Sequence, residues 1–173
     1  YKNINGFPFP GLTPDDEDFV TKFMWNFDYR YKYDDVETTF MNFEKRRGTR
    51  TTTSVVETWL VSFQSRMYED PQPLYETING IRSVNFLRVI YPPVQKNFLT
   101  LMIRYIDQKR ADDTYIYLPT MRRVLRGEAG QRSTPINSST QAPDDFEGGF
   151  NGRIPEFNYE LVGEKKLIVL GDA

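Results

Sequence analysis

The sequence contains no cysteine and no histidine. Without them the chain cannot form a Ser-His-Asp or Cys-His nucleophilic site, or a zinc site of the usual Cys/His kind. Hydrolysis by carboxylates and binding of hard cations by oxygen ligands remain available. The absence of cysteine is compatible with an oxidising compartment, where stray thiols are a liability.

A long apolar run and an excess of basic charge are also missing. No stretch approaches the roughly 20 apolar residues of a transmembrane helix, so we expect no transmembrane segment. The 22 Lys and Arg against 24 Asp and Glu give a net charge of −2, which argues against a general nucleic-acid binder. We expect residues 1–173 to form a single domain and, because the first residue is Tyr1, to be an incomplete part of a longer chain.

The first periodic segment predicts a helix over about 14–29. Thr13 is a capping residue, Pro14 suits a first helical turn, and the acidic residues that follow suit the positive end of a helix. An apolar stripe with helical spacing follows, and we expect it to pack on a sheet. The stripe consists of Phe19, Val20, Phe23, Met24, Trp25 and Phe27.

After the helix the apolar period changes to two, which predicts strands. We place strands near 36–47 and over 51–68, 82–93, 97–107, 113–119 and 165–170. The fold class is therefore α+β with a large antiparallel sheet packed on a helix. The strand over 97–107 is apolar on both faces, so the side that the helix does not cover requires more protein or a hydrophobic ligand.

Paired aspartates occur at three places, Asp34–Asp35, Asp112–Asp113 and Asp144–Asp145. Neighbouring aspartates on a strand point to opposite faces, and in a turn they cap backbone groups. We therefore expect structural or ion-pairing roles for them. A metal site, or an enzyme that uses carboxylates such as Asp113 and Asp145, stays open as the alternative.

Four arginines follow the strand over 113–119. Their planar guanidinium groups suit phosphate or carboxylate ligands. The other interpretation, which we favour, is ion pairing with nearby aspartates that organises the Gly/Ser/Pro/Asn-rich stretch 127–157, itself either functional or mobile. The residues concerned are Arg122, Arg123, Arg126 and Arg132, with Asp112, Asp113, Asp144 and Asp145 as their acidic partners.

Several ordered pieces resemble a family named only as domain of unknown function 1329. They are DDTYIYLPTMRRVLR over 112–126, GQRS over 130–133 and DDFEGGFNGRIPEFNYELVGEKK over 144–166, with NGFPFPGL and FMWNFDYRY near the start. Its members are exported proteins of Gram-negative bacteria and look related to the LolA/LolB lipoprotein-sorting superfamily. The resemblance implies a curved antiparallel half-barrel wrapped over helices that encloses a hydrophobic cavity.

The resemblance implies a non-enzymatic lipid- or hydrophobe-binding protein in the periplasm or at the outer membrane, working with an exporter of hydrophobic compounds. It brings no catalytic residue, metal or cofactor. The alternative is a structural or accessory subunit of an envelope assembly, whose apolar sheet surface is buried against partner chains. The expected lining is Phe23, Met24, Phe27, Trp59, Val61, Phe63, Phe86, Leu101 and Ile103. We expect a second set of residues to bind a headgroup or organise the loop: Arg122, Arg123, Arg126, Arg132, Asp144 and Asp145.

Overall fold

Six antiparallel strands follow one helix in the computed structural model, which describes residues 7–46, 48–68, 78–127 and 150–166. The helix, α1, spans Phe19–Tyr29. The strands are β1 (Asp35–Arg46), β2 (Thr49–Ser62), β3 (Ile81–Tyr91), β4 (Leu99–Tyr105), β5 (Asp113–Leu118) and β6 (Arg123–Gly127). The α+β class predicted from the alternation of apolar residues is confirmed.

The strands form one open, curved sheet in the order β1-β2-β3-β4-β5-β6. Each strand pairs antiparallel with the next one along the chain. The β1–β2 hairpin turns at Gly48, whose φ of 86° suits a residue without a Cβ. The register shifts within the β1–β2, β2–β3 and β3–β4 pairs, and such irregularities add local bend and twist to a sheet.

One face of the sheet carries the buried side chains at the centre of β2 and β3, and we call it the Val56 face. Cross-strand partners in an antiparallel sheet share a face, so the pairs Val56–Val89 and Thr58–Leu87 define it. Val89 is fully buried, and Ser54, Val56 and Thr58 are buried as well. Burial of the β2–β3 centre therefore occurs on this side.

A second layer is attached to the sheet by two arginines. Arg104 shares the Val56 face, because it pairs with Ser83, and its Nη2 donates to the carbonyl of Asn151 at 2.8 Å. Segment 150–157, which includes the buried Ile154, contacts α1 in turn. Arg82 of β3 forms an ion pair with Asp28 of α1 at 2.6 Å. The helix and segment 150–157 thus form one layer held by Arg82 and Arg104.

The helix begins five residues later than the sequence predicts, at Phe19. The Asp16 carboxylate accepts hydrogen bonds from the backbone N–H of Thr13 at 2.6 Å and from its hydroxyl at 2.8 Å. Asp18 has a φ of 57°. These residues form turns, because the side-chain bonds favour local turn geometry over the helix.

The apolar stripe of the helix is less buried than predicted. Phe23 is 52% exposed, whereas the buried helix residues are Asp28 and Tyr29 at the C-terminal end. The expectation that the stripe packs on the sheet is therefore wrong for Phe23. The Asp28–Arg82 ion pair fixes the end of the helix to the sheet instead.

The strands differ from the predictions in three places. The second strand was expected to reach residue 68, but β2 ends at Ser62, and the Asp34 carboxylate accepts from the N–H groups of Met67 at 2.9 Å and Tyr68 at 2.6 Å. The short strand β6 was not predicted. Of the strand expected over 165–170, residues 165 and 166 are not in a strand, and the rest lie outside the described residues.

Candidate functional site

The second face of the sheet is apolar across four strands, and we call it the Trp59 face. Register pairing places Trp59 beside Phe86, Phe86 beside Leu101, and Leu101 beside Tyr115. Two parallel rows of cross-strand partners flank this central row. They contain Val61, Val84 and Ile103 on one side, and Leu99 and Tyr117 on the other.

Every apolar side chain in these rows is half-buried, being neither enclosed nor fully exposed. The Trp59 and Phe86 rings contact each other with centroids 5.5 Å apart. The centre of the Val56 face differs, since Val56 and Val89 are buried there. Apolar area that stays partly exposed over a contiguous patch is typical of a binding surface.

The structure groups five of the nine residues predicted to line a hydrophobic site. Trp59, Val61, Phe86, Leu101 and Ile103 all lie on the Trp59 face. The strand alternation in the sequence was enough to find them, because a period of two fixes the face of every residue in a strand.

The other four residues predicted to line the site lie outside the apolar rows of the Trp59 face. Phe63 follows the end of β2, and its N–H donates to the carbonyl of Arg82 at 2.8 Å. Phe27 lies beneath the guanidinium of Arg30, 3.7 Å from Cζ to the ring centroid. Phe23 contacts the ring of Phe19, and Met24 is half-buried. Their role in a ligand site stays a prediction.

An ion pair lies within the Trp59 face, between the cross-strand partners Glu57 and Arg88. The Arg88 guanidinium also lies over the Trp59 ring, 5.6 Å from its centroid. Because Arg88 pairs with Leu99, this ion pair forms a polar border of the apolar rows.

A second polar group lies where β4, β5 and β6 meet. Asp113 pairs with Ile103 and so shares the Trp59 face. Its carboxylate accepts a hydrogen bond from the Tyr105 hydroxyl at 2.7 Å and forms an ion pair with Arg126. The hydrogen bond from Tyr105 and the charge and hydrogen bond of Arg126 hold the pKa of Asp113 below its usual value of 3.8. The same hydrogen bond, with burial, raises the pKa of Tyr105 above 10.0.

The arginines predicted as one cluster are divided by the β5–β6 hairpin. Arg126 pairs with Tyr115 on the Trp59 face, whereas Arg123 pairs with Leu118 on the opposite face. Arg122 lies in the turn with a φ of 50°. The expected ion pairing is found for Arg126 with Asp113. Arg132, Asp144 and Asp145 lie outside the described residues.

The first two aspartate pairs have the structural roles expected of them. Asp34 caps backbone N–H groups, and Asp35 forms an ion pair with Arg66 at 2.9 Å. Asp112 forms an ion pair with Arg104 at 2.8 Å. Within the described ranges no group of three or more Asp or Glu side chains is arranged to hold a metal ion.

Three polar residues of this region were not found from the sequence: Arg104, Tyr105 and Arg110. Arg110 stacks on the Tyr105 ring, 3.3 Å from Cζ to the centroid. The sequence contains one signal for this polar group, because Arg104 is the single charged residue in the apolar run LTLMIRY of β4. A charge in such a run requires a partner, and Asp112 is that partner.

The fold and the half-exposed Trp59 face define an α+β protein built on an open antiparallel sheet. The chain belongs to the family described as Protein of unknown function (DUF1329), whose profile matches residues 2–170. Among curated proteins, no match to the chain was found. In the part of the chain that the structure describes, no helix combines the length and the apolar character needed to cross a membrane.

A solved structure with a similar fold is the crystal structure of a DUF1329 family protein from Desulfovibrio piger, with a TM-score of 0.54 and 18% sequence identity. The match covers 86% of this chain and 54% of that chain. This chain therefore spans about half the length of the solved protein. At this identity the likeness concerns the fold alone.

Proposed function

We propose that this chain is a non-enzymatic protein that binds a lipid or another hydrophobic molecule on the Trp59 face. The observation that carries the proposal is the set of apolar rows around Trp59, Phe86 and Leu101, which remain half-exposed throughout. The resemblance of the sequence to exported Gram-negative proteins supports a location in the periplasm or at the outer membrane.

Hydrophobic burial alone is sufficient to hold such a ligand. Each methylene that leaves water contributes about 0.8 kcal/mol, so an acyl chain laid across several strands needs few polar contacts. The neighbouring rings of Trp59 and Phe86 offer a broad apolar contact area. No catalytic group or cofactor is required for this function.

The resemblance of the family to the LolA/LolB superfamily, inferred from the sequence, supports a carrier role in particular. In those proteins a curved antiparallel sheet encloses acyl chains, and this chain has a curved antiparallel sheet with one half-exposed apolar face. As a carrier, the protein would pass its cargo to or from an exporter of hydrophobic compounds.

The test compares the same substitution at two neighbouring positions of β4. Leu101 lies on the Trp59 face and Met102 on the Val56 face, and both are half-buried. We expect Leu101→Gln to weaken the binding of phenylnaphthylamine, a neutral dye that fluoresces in apolar surroundings, by about tenfold or more. Met102→Gln should leave the affinity within about twofold, because its side chain is on the other face.

Equal losses in the two variants, or no dye binding by the unaltered protein, would refute binding on the Trp59 face. Native mass spectrometry of gently purified protein, with lipid extraction of the same sample, identifies the cargo class. A bound mass that extracts into organic solvent is the expected result.

An accessory subunit of an envelope assembly is the second candidate, and the β5–β6 hairpin favours it. Met121, Val124 and Leu125 are 57%, 63% and 44% exposed. Apolar side chains on an outer strand suit burial against another chain. Native mass spectrometry distinguishes the candidates, since a stable complex with other chains and no extracted lipid supports the subunit.

A further inference from the structure

The Trp59 face has a polar group at its β5–β6 side that is built around one carboxylate. Asp113 is largely buried, with 13% of its side chain exposed, and two arginines lie beside it. Arg126 forms an ion pair with it, and Arg110 reaches within 3.9 Å of it while stacking on Tyr105. Two positive charges against one negative charge leave this group with a net charge of +1.

The arginines of this group retain donors that face solvent. The Arg126 side chain is 71% exposed and that of Arg110 is 44% exposed. A guanidinium carries five N–H donors, and the hydrogen bond of Arg126 to Asp113 comes from Nη2. Because Asp113 and Tyr105 position the two cations, they are held at the border of the apolar rows.

The opposite side of the same face has the opposite charge. In the part of β1 and β2 whose side chains the structure describes, the Trp59 face carries three carboxylates, Asp35, Glu37 and Glu57. Asp35 pairs with Arg66 and Glu57 with Arg88, which leaves a net charge of −1. The apolar rows therefore run from an acidic border at β1 to a basic border at β6.

From this polarity we infer that the ligand of the Trp59 face is an amphiphile with one anionic head, a carboxylate or a phosphate, that binds at Arg110 and Arg126. This inference rests on the proposed function. The tail crosses the central row from Tyr115 over Leu101 to Trp59. Three strand spacings separate β5 from β2, which is about 14 Å, and a decyl chain is of that order.

The experiment measures displacement of phenylnaphthylamine by ligands that share a tail and differ in the head. Decanoate, decyl phosphate and decanol are compared below their micelle concentrations at near-neutral pH, and inorganic phosphate represents the head without a tail. We expect the two anions to displace the dye at concentrations about threefold to tenfold lower than decanol, a range set by the modest strength of exposed ion pairs. The order of decanoate and decyl phosphate then tells which head is preferred.

Charge variants locate the head. Arg126→Gln should remove most of the preference for the anions, and Arg110→Gln should reduce it independently. Lys96→Gln is the matched control, because this exposed lysine lies between β3 and β4, at the other end of the strands. At physiological salt the Debye length is about 8 Å, so its removal should leave the preference unchanged.

Each outcome decides between the two proposals. Equal displacement by anions and decanol, or a preference that survives in both arginine variants, overturns the anionic head while dye binding still supports the hydrophobe site. Absence of dye binding refutes both. Displacement by inorganic phosphate alone also overturns the inference, because it would show an anion site that needs no tail.

Discussion

The hydroxyl of Tyr105 donates a 2.7 Å hydrogen bond to the carboxylate of Asp113, across the β4–β5 pair. Tyr105 is buried, whereas the apolar rows of the same face are half-exposed, and the Arg110 guanidinium covers its ring. The contact lowers the pKa of Asp113 and raises the pKa of Tyr105. This bond links the apolar rows to the basic border, because Asp113 also holds Arg126.

The sign of the Asp113 pKa shift sets the pH dependence of this contact. A carboxyl whose folded pKa lies below the usual 3.8 stabilises the folded state at pH above that value. The contribution is lost as the pH falls through the lower, folded pKa. At neutral pH it is fully present.

Removing the hydroxyl with Tyr105→Phe should therefore lower the free energy of unfolding by about 1 kcal/mol at neutral pH. The difference from the unaltered protein should shrink in acid, once Asp113 is protonated in both. Urea titrations at a series of pH values from neutral to about 2 measure it, because the folded pKa of Asp113 lies below 3.8. A difference that is constant across the series would contradict the role of the Asp113 charge.

The ion pair between Asp28 and Arg82 should contribute far more than the pair between Glu57 and Arg88. The Asp28 and Arg82 side chains are 6% and 11% exposed, so Asp28→Asn leaves a buried arginine without its counter-charge. The loss of stability expected for breaking such a pair is about 3–5 kcal/mol. The matched change Glu57→Gln acts on a pair open to solvent and should cost about 1 kcal/mol or less.

Chemical denaturation of the two variants under one set of conditions makes the comparison. If Asp28→Asn and Glu57→Gln destabilise equally, the Asp28–Arg82 pair is not what holds the end of the helix to the sheet. A change in the slope with urea for Asp28→Asn alone would point to partial unfolding of the helix layer.

The composition of the Trp59 face and the pairing of Arg126 with an aspartate were predictable from the sequence, while the contacts of Arg104, Tyr105 and Arg110 were not. Alternation with a period of two assigns Trp59, Val61, Phe86, Leu101 and Ile103 to a face without knowledge of any partner strand. The contacts of Arg104 with Asp112, and of Tyr105 with Asp113, depend on which strands become neighbours. That neighbour relationship arises from pairing and turn geometry, which a local pattern does not encode.

The errors at the helix and at β6 have physical causes of the same kind. Residues 14–18 have the composition of a helix start, but the Asp16 side chain bonds back to Thr13 and forms a turn instead. The five residues of β6 are too short and too charged to show a period. Pairing with β5 stabilises this strand, so tertiary context determines it.

Gly152 occupies a position where a single methyl group should be costly. A Cβ there would lie 2.7 Å from Cζ of Phe150 and 2.8 Å from Cε2 of Phe157. These two rings contact each other edge to face with centroids 5.6 Å apart, and Phe150 also contacts Tyr159. Because each ring is restrained by another, neither can move aside without loss of an aromatic contact.

We therefore expect Gly152→Ala to lower the free energy of unfolding by about 1–3 kcal/mol, as overpacking does. Gly163→Ala is the matched control, since a Cβ at Gly163 meets no atom within 4 Å, and its effect should stay within about 0.5 kcal/mol.

Hydrogen exchange adds a local readout, in which amides of segment 150–157 should lose protection in Gly152→Ala alone. Equal stability of the two variants would mean that the rings around Gly152 are free to rearrange. If the amides of segment 150–157 lose protection while the sheet amides do not, this segment detaches from Arg104 without opening of the sheet. The helix layer and the sheet are then separate units of stability.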